Sequence, residues 1–133
     1  MANSSQNLRT ILNATATAPT TGAVLDVKDF KNIVLQIGTA SSANLTVKIQ
    51  GSVSDIAPTF SSPATVGNHW GYLACYELDS SALVPGSTGF VTAGTDSFVN
   101  YLVNVSGINF ITATVTARSA GSVTVKAKTY DND

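Results

Sequence analysis

Asn104–Tyr130, NVSGINFITATVTARSAGSVTVKAKTY, decides the fold class. Apolar and polar residues alternate on both sides of a short stretch of small residues, Ser119-Ala120-Gly121. Period-two alternation puts successive side chains on opposite faces of a strand. A three-residue turn closed by a left-handed glycine would join the two runs as a β-hairpin. The spacing then predicts Ala117 opposite Val123, Val115 opposite Val125 and Ala113 opposite Ala127 on a dry face. Thr116–Thr124, Thr114–Lys126, Thr112–Lys128 and Phe110–Tyr130 would form the wetter face. A slip of one residue would set valines against threonines, so the register is well specified.

The rest of the chain reads the same way. Residues 1–21 are polar, with a strand pattern over Leu8–Thr17 that stops at Pro19. They form an N-terminal arm or edge strand, and 22–133 form a single domain. Ala23–Val27 is a short strand. Asn32–Gly38 carries Ile33, Leu35 and Ile37 on one face and Val34 with Gln36 on the other, so it is apolar nearly all round. Asn44–Gly51 follows after a small-residue turn, and the two are expected to pair as a hairpin. Ser52–Asn68 is irregular. Trp70–Asp79 reads as one strand, Phe90–Ala93 as a short one, and Ser97–Val105 as a strand with two apolar faces. The expectation is an all-β, antiparallel β-sandwich, jelly-roll-like, of about eight or nine short strands, with turns about every ten residues. Strands that are apolar on both faces need cover on both sides. In a two-layer sandwich that second cover comes from a loop, from the N-terminal arm or from another subunit.

Composition narrows the function. Only 11% of the 133 residues are charged, against about 25% in ordinary soluble domains. Ser and Thr, about a quarter of the chain, take the outward strand positions instead. Such a surface suits a protein largely covered by neighbours, or one that lives outside a cell. Net charge is −1 with no basic stripe, so no nucleic-acid partner is expected. No apolar run approaches the length of a bilayer span, so no membrane partner is expected either. MANSSQNLRT lacks the apolar core of a cleaved secretory signal. The sequence therefore predicts a product of the cytoplasm that leaves, if it leaves, by another route such as lysis.

Candidate chemistry is sparse. His69 is the single histidine and Cys75 the single cysteine, so neither a multi-histidine metal site nor an internal disulfide is expected. Catalysis at His69 would need a nucleophile and an orienting acid in the same cleft, and no G-x-S-x-G elbow supplies one. Asp96, Asp131 and Asp133 lack calcium-loop spacing. The four N-x-[S/T] triplets at Asn3, Asn13, Asn44 and Asn104 are what a Ser/Thr-rich chain contains by chance. No cofactor and no catalytic residue are predicted. Trp70, Tyr72 and Tyr76, on one strand face, are a candidate glycan platform, weighed against packing in a core or an interface. Thr112, Thr114, Thr116, Thr124, Lys126 and Tyr101 form a candidate subunit interface, because that face is too uncharged for an ordinary solvated surface.

Gly51-Ser52 at the end of a strand pair, Trp70 at the start of a strand, the Val105–Ile111 entry and the Gly121–Val125 return together resemble small β-sandwich structural proteins of tailed bacteriophages. The resemblance runs from Phe30 to the end of the chain. It departs from that pattern in the long segment between Ser54-Asp55 and Trp70. It implies a non-enzymatic virion protein, foremost a capsid decoration (cement) protein on the outer shell of a head. A tail or baseplate sandwich is the alternative within that class, and a carbohydrate-binding module the alternative outside it. The implied partners are the major capsid protein or another virion protein and further copies of the chain, with a trimer favoured.

Overall fold

Long uninterrupted alternation gives two strands of unusual length. The computed structural model describes residues 8–60, 64, 65 and 68–129. Within them Asn32–Ser52 is a single strand of 21 residues and Phe110–Thr129 a single strand of 20. In chain order the strands are β1 (Leu8–Thr15), β2 (Thr20–Thr21), β3 (Leu25–Asp26), β4 (Asn32–Ser52), β5 (Gly71–Tyr72), β6 (Cys75–Glu77), β7 (Leu83–Val84), β8 (Phe90–Ala93), β9 (Phe98–Asn104) and β10 (Phe110–Thr129). The described residues contain no helix.

β4 and β10 pair antiparallel almost from end to end, from Phe110 opposite Ser52 to Thr129 opposite Ile33. Laid straight at ~3.3 Å per residue, β4 would reach about 70 Å, while a domain of this size has a radius of gyration near ~14 Å. Both strands therefore bend, and they bend together. Ser41 and Ser42 take φ of 65° and 53°, and Gly121 takes 76°. The ladder between the strands is irregular across the same stretch. A side chain on Gly121 would start 2.6 Å from the Ala40 carbonyl oxygen and 2.7 Å from Ala43 Cβ, so the close crossing here needs glycine for space as well as for φ. Ala14 at the end of β1 (φ 48°) and Gly94 between β8 and β9 (φ 84°) turn beside these positions. The result is one hydrogen-bonded sheet folded over along a single line.

Asp96 fastens that line. Its carboxylate accepts from the Ala43 N–H at 3.0 Å and the Ser42 N–H at 3.2 Å. Thr39 adds a second tie, its Oγ1 accepting from the Ser97 N–H at 2.9 Å. These donors, led by Ala43, favour the ionised form and hold the Asp96 carboxyl below its usual range.

Folding over makes two layers. The first runs β1, the 122–129 half of β10, the 32–40 half of β4, β9, β6 and β7. The second holds β2 and β3, the 110–118 half of β10, the 44–52 half of β4, and β8 and β5 beyond it. Ile33, Leu35 and Ile37 of the first layer and Leu45, Val47 and Ile49 of the second share one core. Phe90, paired with Val47, meets Tyr101, paired with Leu35, edge to face at 6.3 Å across the middle. The all-β antiparallel sandwich expected from the sequence is the fold of the protein.

Three local expectations are corrected. No hairpin closes at Ser119–Gly121: Val115 pairs with Val47 and Val125 with Ile37. The same ladder replaces the expected pairing of 32–38 with 44–51. Alternation fixes which face a side chain takes, not which strand lies alongside, and small residues serve a sharp bend as well as a tight turn. Trp70–Asp79 is not one strand either. β5 pairs with β4 in the second layer and β6 with β9 in the first, so the chain crosses between layers at Leu73-Ala74. At the N-terminal end β1 is an edge strand of the sandwich: it pairs with β10, and Ile11 and Leu12 are core residues.

Candidate functional site

The two layers present very different outer faces. On the second layer the outward residues Gln50, Ser52, Thr112 and Thr114 of β4 and β10 are polar and lie under the protein's own chain. Thr112 is 0% and Gln50 2% exposed. Thr112 Oγ1 donates to the Ala23 carbonyl at 2.8 Å, and Thr114 Oγ1 donates to Gln50 Oε1 at 2.5 Å. Gln50 Nε2 donates to the Phe60 carbonyl at 3.0 Å, and Ser52 Oγ to the His69 carbonyl at 2.6 Å. Phe60 is buried against Trp70, with ring centroids 6.4 Å apart. The stretches on either side, around Ala23, at Phe60 and at His69-Trp70, thus act as a lid, and the outward polar atoms beneath them find partners.

The first layer has no such lid among the described residues. Its registers align one outward residue from each of six strands: Leu8 with Lys128, Lys128 with Val34, Val34 with Leu102, Leu102 with Tyr76, and Tyr76 with Leu83. The next row holds Thr10, Lys126, Gln36 and Asn100, and the Leu78 N–H donates to the Asn100 carbonyl at 3.0 Å. Beyond lies Phe98, 64% exposed. A shallow hollow of about 370 Å³ opens between Phe98, Leu78 and Asp79. Leu8, Tyr76, Leu78 and Leu83 are exposed, and Val34 and Leu102 half-buried. Val34, Leu102, Tyr76 and Leu83 thus form an apolar row across four adjacent strands, flanked by polar and basic residues. The charges of this face are segregated: Lys126 and Lys128 lie toward β1, Asp79 toward β7.

This divides the predicted interface. Thr112 and Thr114 are buried in the second layer and Tyr101 is buried in the core, so these three are out of reach of a second subunit. Thr124 and Lys126 do lie on the outer face of the first layer, half-buried, and Thr124 Oγ1 accepts from the Ala14 N–H at 3.0 Å. Thr116 is half-buried near the fold line. The face itself, centred on Val34, Leu102 and Tyr76, was foreshadowed only by the two-sided apolar patterns of 32–38 and 97–105.

The three-ring glycan platform does not form. Tyr76 belongs to the first layer and Tyr72 to the second. Trp70 and Tyr72 meet edge-on, with planes 71° apart and centroids 5.2 Å apart, and the Lys48 ammonium lies 5.0 Å from the Tyr72 ring centre. Cys75 faces the core, where burial pushes its thiol up to about 12. Tyr101 is likewise pushed up to about 12 by burial, with the Glu77 charge adding to it. His69 is exposed, and no group of three or more His, Cys, Asp or Glu side chains gathers as a metal site among the described residues.

The fold of the chain is shared with phage-derived proteins. No family model matches the chain, and no curated protein sequence matches it. Among solved structures it is similar to the SPBc2 prophage-derived protein YomS, with a TM-score of 0.70 and 13% identity over 98% of this chain and 96% of that one. It is also similar to the PBSX exported protein XepA, with a TM-score of 0.66 and 12% identity over 98% of this chain and 39% of that one. The chain thus spans nearly the whole of YomS and about 39% of XepA. The likeness to phage β-sandwich proteins holds at the level of the fold.

Proposed function

We propose that this chain is a non-enzymatic structural protein of a phage particle, a decoration protein that adheres to the outer shell of the head and to copies of itself. The observation that carries this reading is the bare apolar face of the first layer. A chain with 11% charged residues leaves there a surface whose side chains suit burial against protein. The fold shared with two prophage-derived proteins supports the phage origin. The mechanism is adhesion: each contact is modest, and repetition over a symmetric lattice multiplies it by avidity. Immunogold labelling of particles produced by the host strain that carries the gene tests it. Label on heads is expected. Label confined to tails would move the protein to the tail or baseplate, and unlabelled particles would sink the reading.

A further inference from the structure

We propose that the bare face of the first layer is the seat of a second copy of this chain, packed face to face about a two-fold axis that runs along the strands between β4 and β9. This rests on the reading of that face as a contact surface and names what occupies it. The order of the first row is Leu8, Lys128, Val34, Leu102, Tyr76, Leu83. Turned over about such an axis, the row meets itself in reverse. Leu8 falls on Leu83, Val34 on Leu102, and Lys128 on Tyr76. The second row behaves alike: Gln36 meets Asn100, amide against amide, and Lys126 meets Leu78 beside Asp79.

The pairing is self-complementary, as an isologous interface requires. Apolar residues meet apolar residues, an ammonium meets an aromatic ring, and the basic side of one copy meets the acidic side of the other. A two-fold axis across the strands would instead lay each strand on itself, with Lys128 against Lys128. The charge pattern therefore selects the first arrangement. β6 and β7 have only three and two residues, so the contact is centred on β4 against β9, with β10 against β6 and β1 against β7 at its margins. Aligned packing of two sheets ~10 Å apart is an ordinary arrangement.

The test is sedimentation equilibrium across a concentration series, with thermal melts to confirm folding. The wild type is expected to reach about 27 kDa, twice the 13.7 kDa of one chain. Leu102→Glu, at a half-buried outward position, should weaken the dimer at least tenfold while the protein stays folded. Tyr76→Lys should also weaken it, by setting ammonium against Lys128 of the other copy. Adding Lys128→Glu to Tyr76→Lys should restore it. Tyr76 and Lys128 of one chain are separated by β4 and β9, so rescue reports contact between copies. A monomer throughout, a trimer, a dimer indifferent to Leu102→Glu, or failure of the double variant to recover would each overturn the proposal. Labelled heads with a monomeric protein would defeat this inference and spare the decoration reading; a dimer with unlabelled particles would do the reverse.

Discussion

The two outer faces of the sandwich begin from similar strands and end differently. In the second layer the outward residues of β4 and β10 are Gln50, Ser52, Thr112 and Thr114, polar groups that would ordinarily face water. They are buried, and the chain satisfies them with carbonyls from Ala23, Phe60 and His69 and with one another. In the first layer the outward residues include Tyr76 and Leu83, which are exposed, and Val34 and Leu102, which are half-buried with no lid of described residues over them. Polarity alone thus misassigns both faces. A lid made of backbone carbonyls suits polar outward side chains. A face awaiting another protein surface suits apolar ones.

The sharpest way to break the contrast is to remove an edge strand from each layer at once. Deleting residues 8–21 takes away β1, β2 and the buried Ile11 and Leu12. Each large core side chain contributes roughly 2–5 kcal/mol, so the truncated protein should show no cooperative thermal transition. A melt like that of the full chain would mean these residues are an arm after all. A milder probe sets one phenylalanine against another. Phe60→Ala, in the lid, should cost about 3–5 kcal/mol in denaturant unfolding. Phe98→Ala, on the open face at 64% exposure, should change monomer stability by ~0.5 kcal/mol or less. Equal costs would erase the distinction between the faces.

The smallest effect belongs to the fold line that both layers share. Asp96 is held below its usual range chiefly by the Ala43 N–H. A depressed carboxyl stabilises the fold above its unfolded value, about 3.8, and that contribution is lost as pH falls through the lower folded value. Melting temperature should therefore decline on acidification below about pH 4, and Asp96→Asn should flatten the decline. An unchanged acid limb in the variant would show that Asp96 does not fasten the corner.

Which side of each strand faces the core was legible in the sequence, because period two is a property of the local chain. Ile33, Leu35 and Ile37, and Val123 with Val125, point where alternation puts them. Partnership was not legible. Ser119-Ala120-Gly121 carries the same small residues whether the chain reverses or merely bends, and only the distant Ala40–Ala43 shows which. The bare face was half legible. Two-sided apolar strands announced a need for outer cover, but not that the lid would fall on the threonine-rich layer and leave Val34 and Leu102 without one. The predicted interface failed at Thr112 and Thr114 for that reason: a polar outward row was read as awaiting a partner that the chain already supplies.

The β4–β10 ladder also governs how the protein comes to be folded. Even its nearest partners in sequence, Ser52 and Phe110, have β5 through β9 between them. Neither long strand can zip up from a local turn, so a large loop must close before the first rung forms. Folding should then take milliseconds to seconds, as for other nonlocal β proteins. Once the ladder is closed it ties both layers into one cooperative unit, and neither layer can open without unpicking the other.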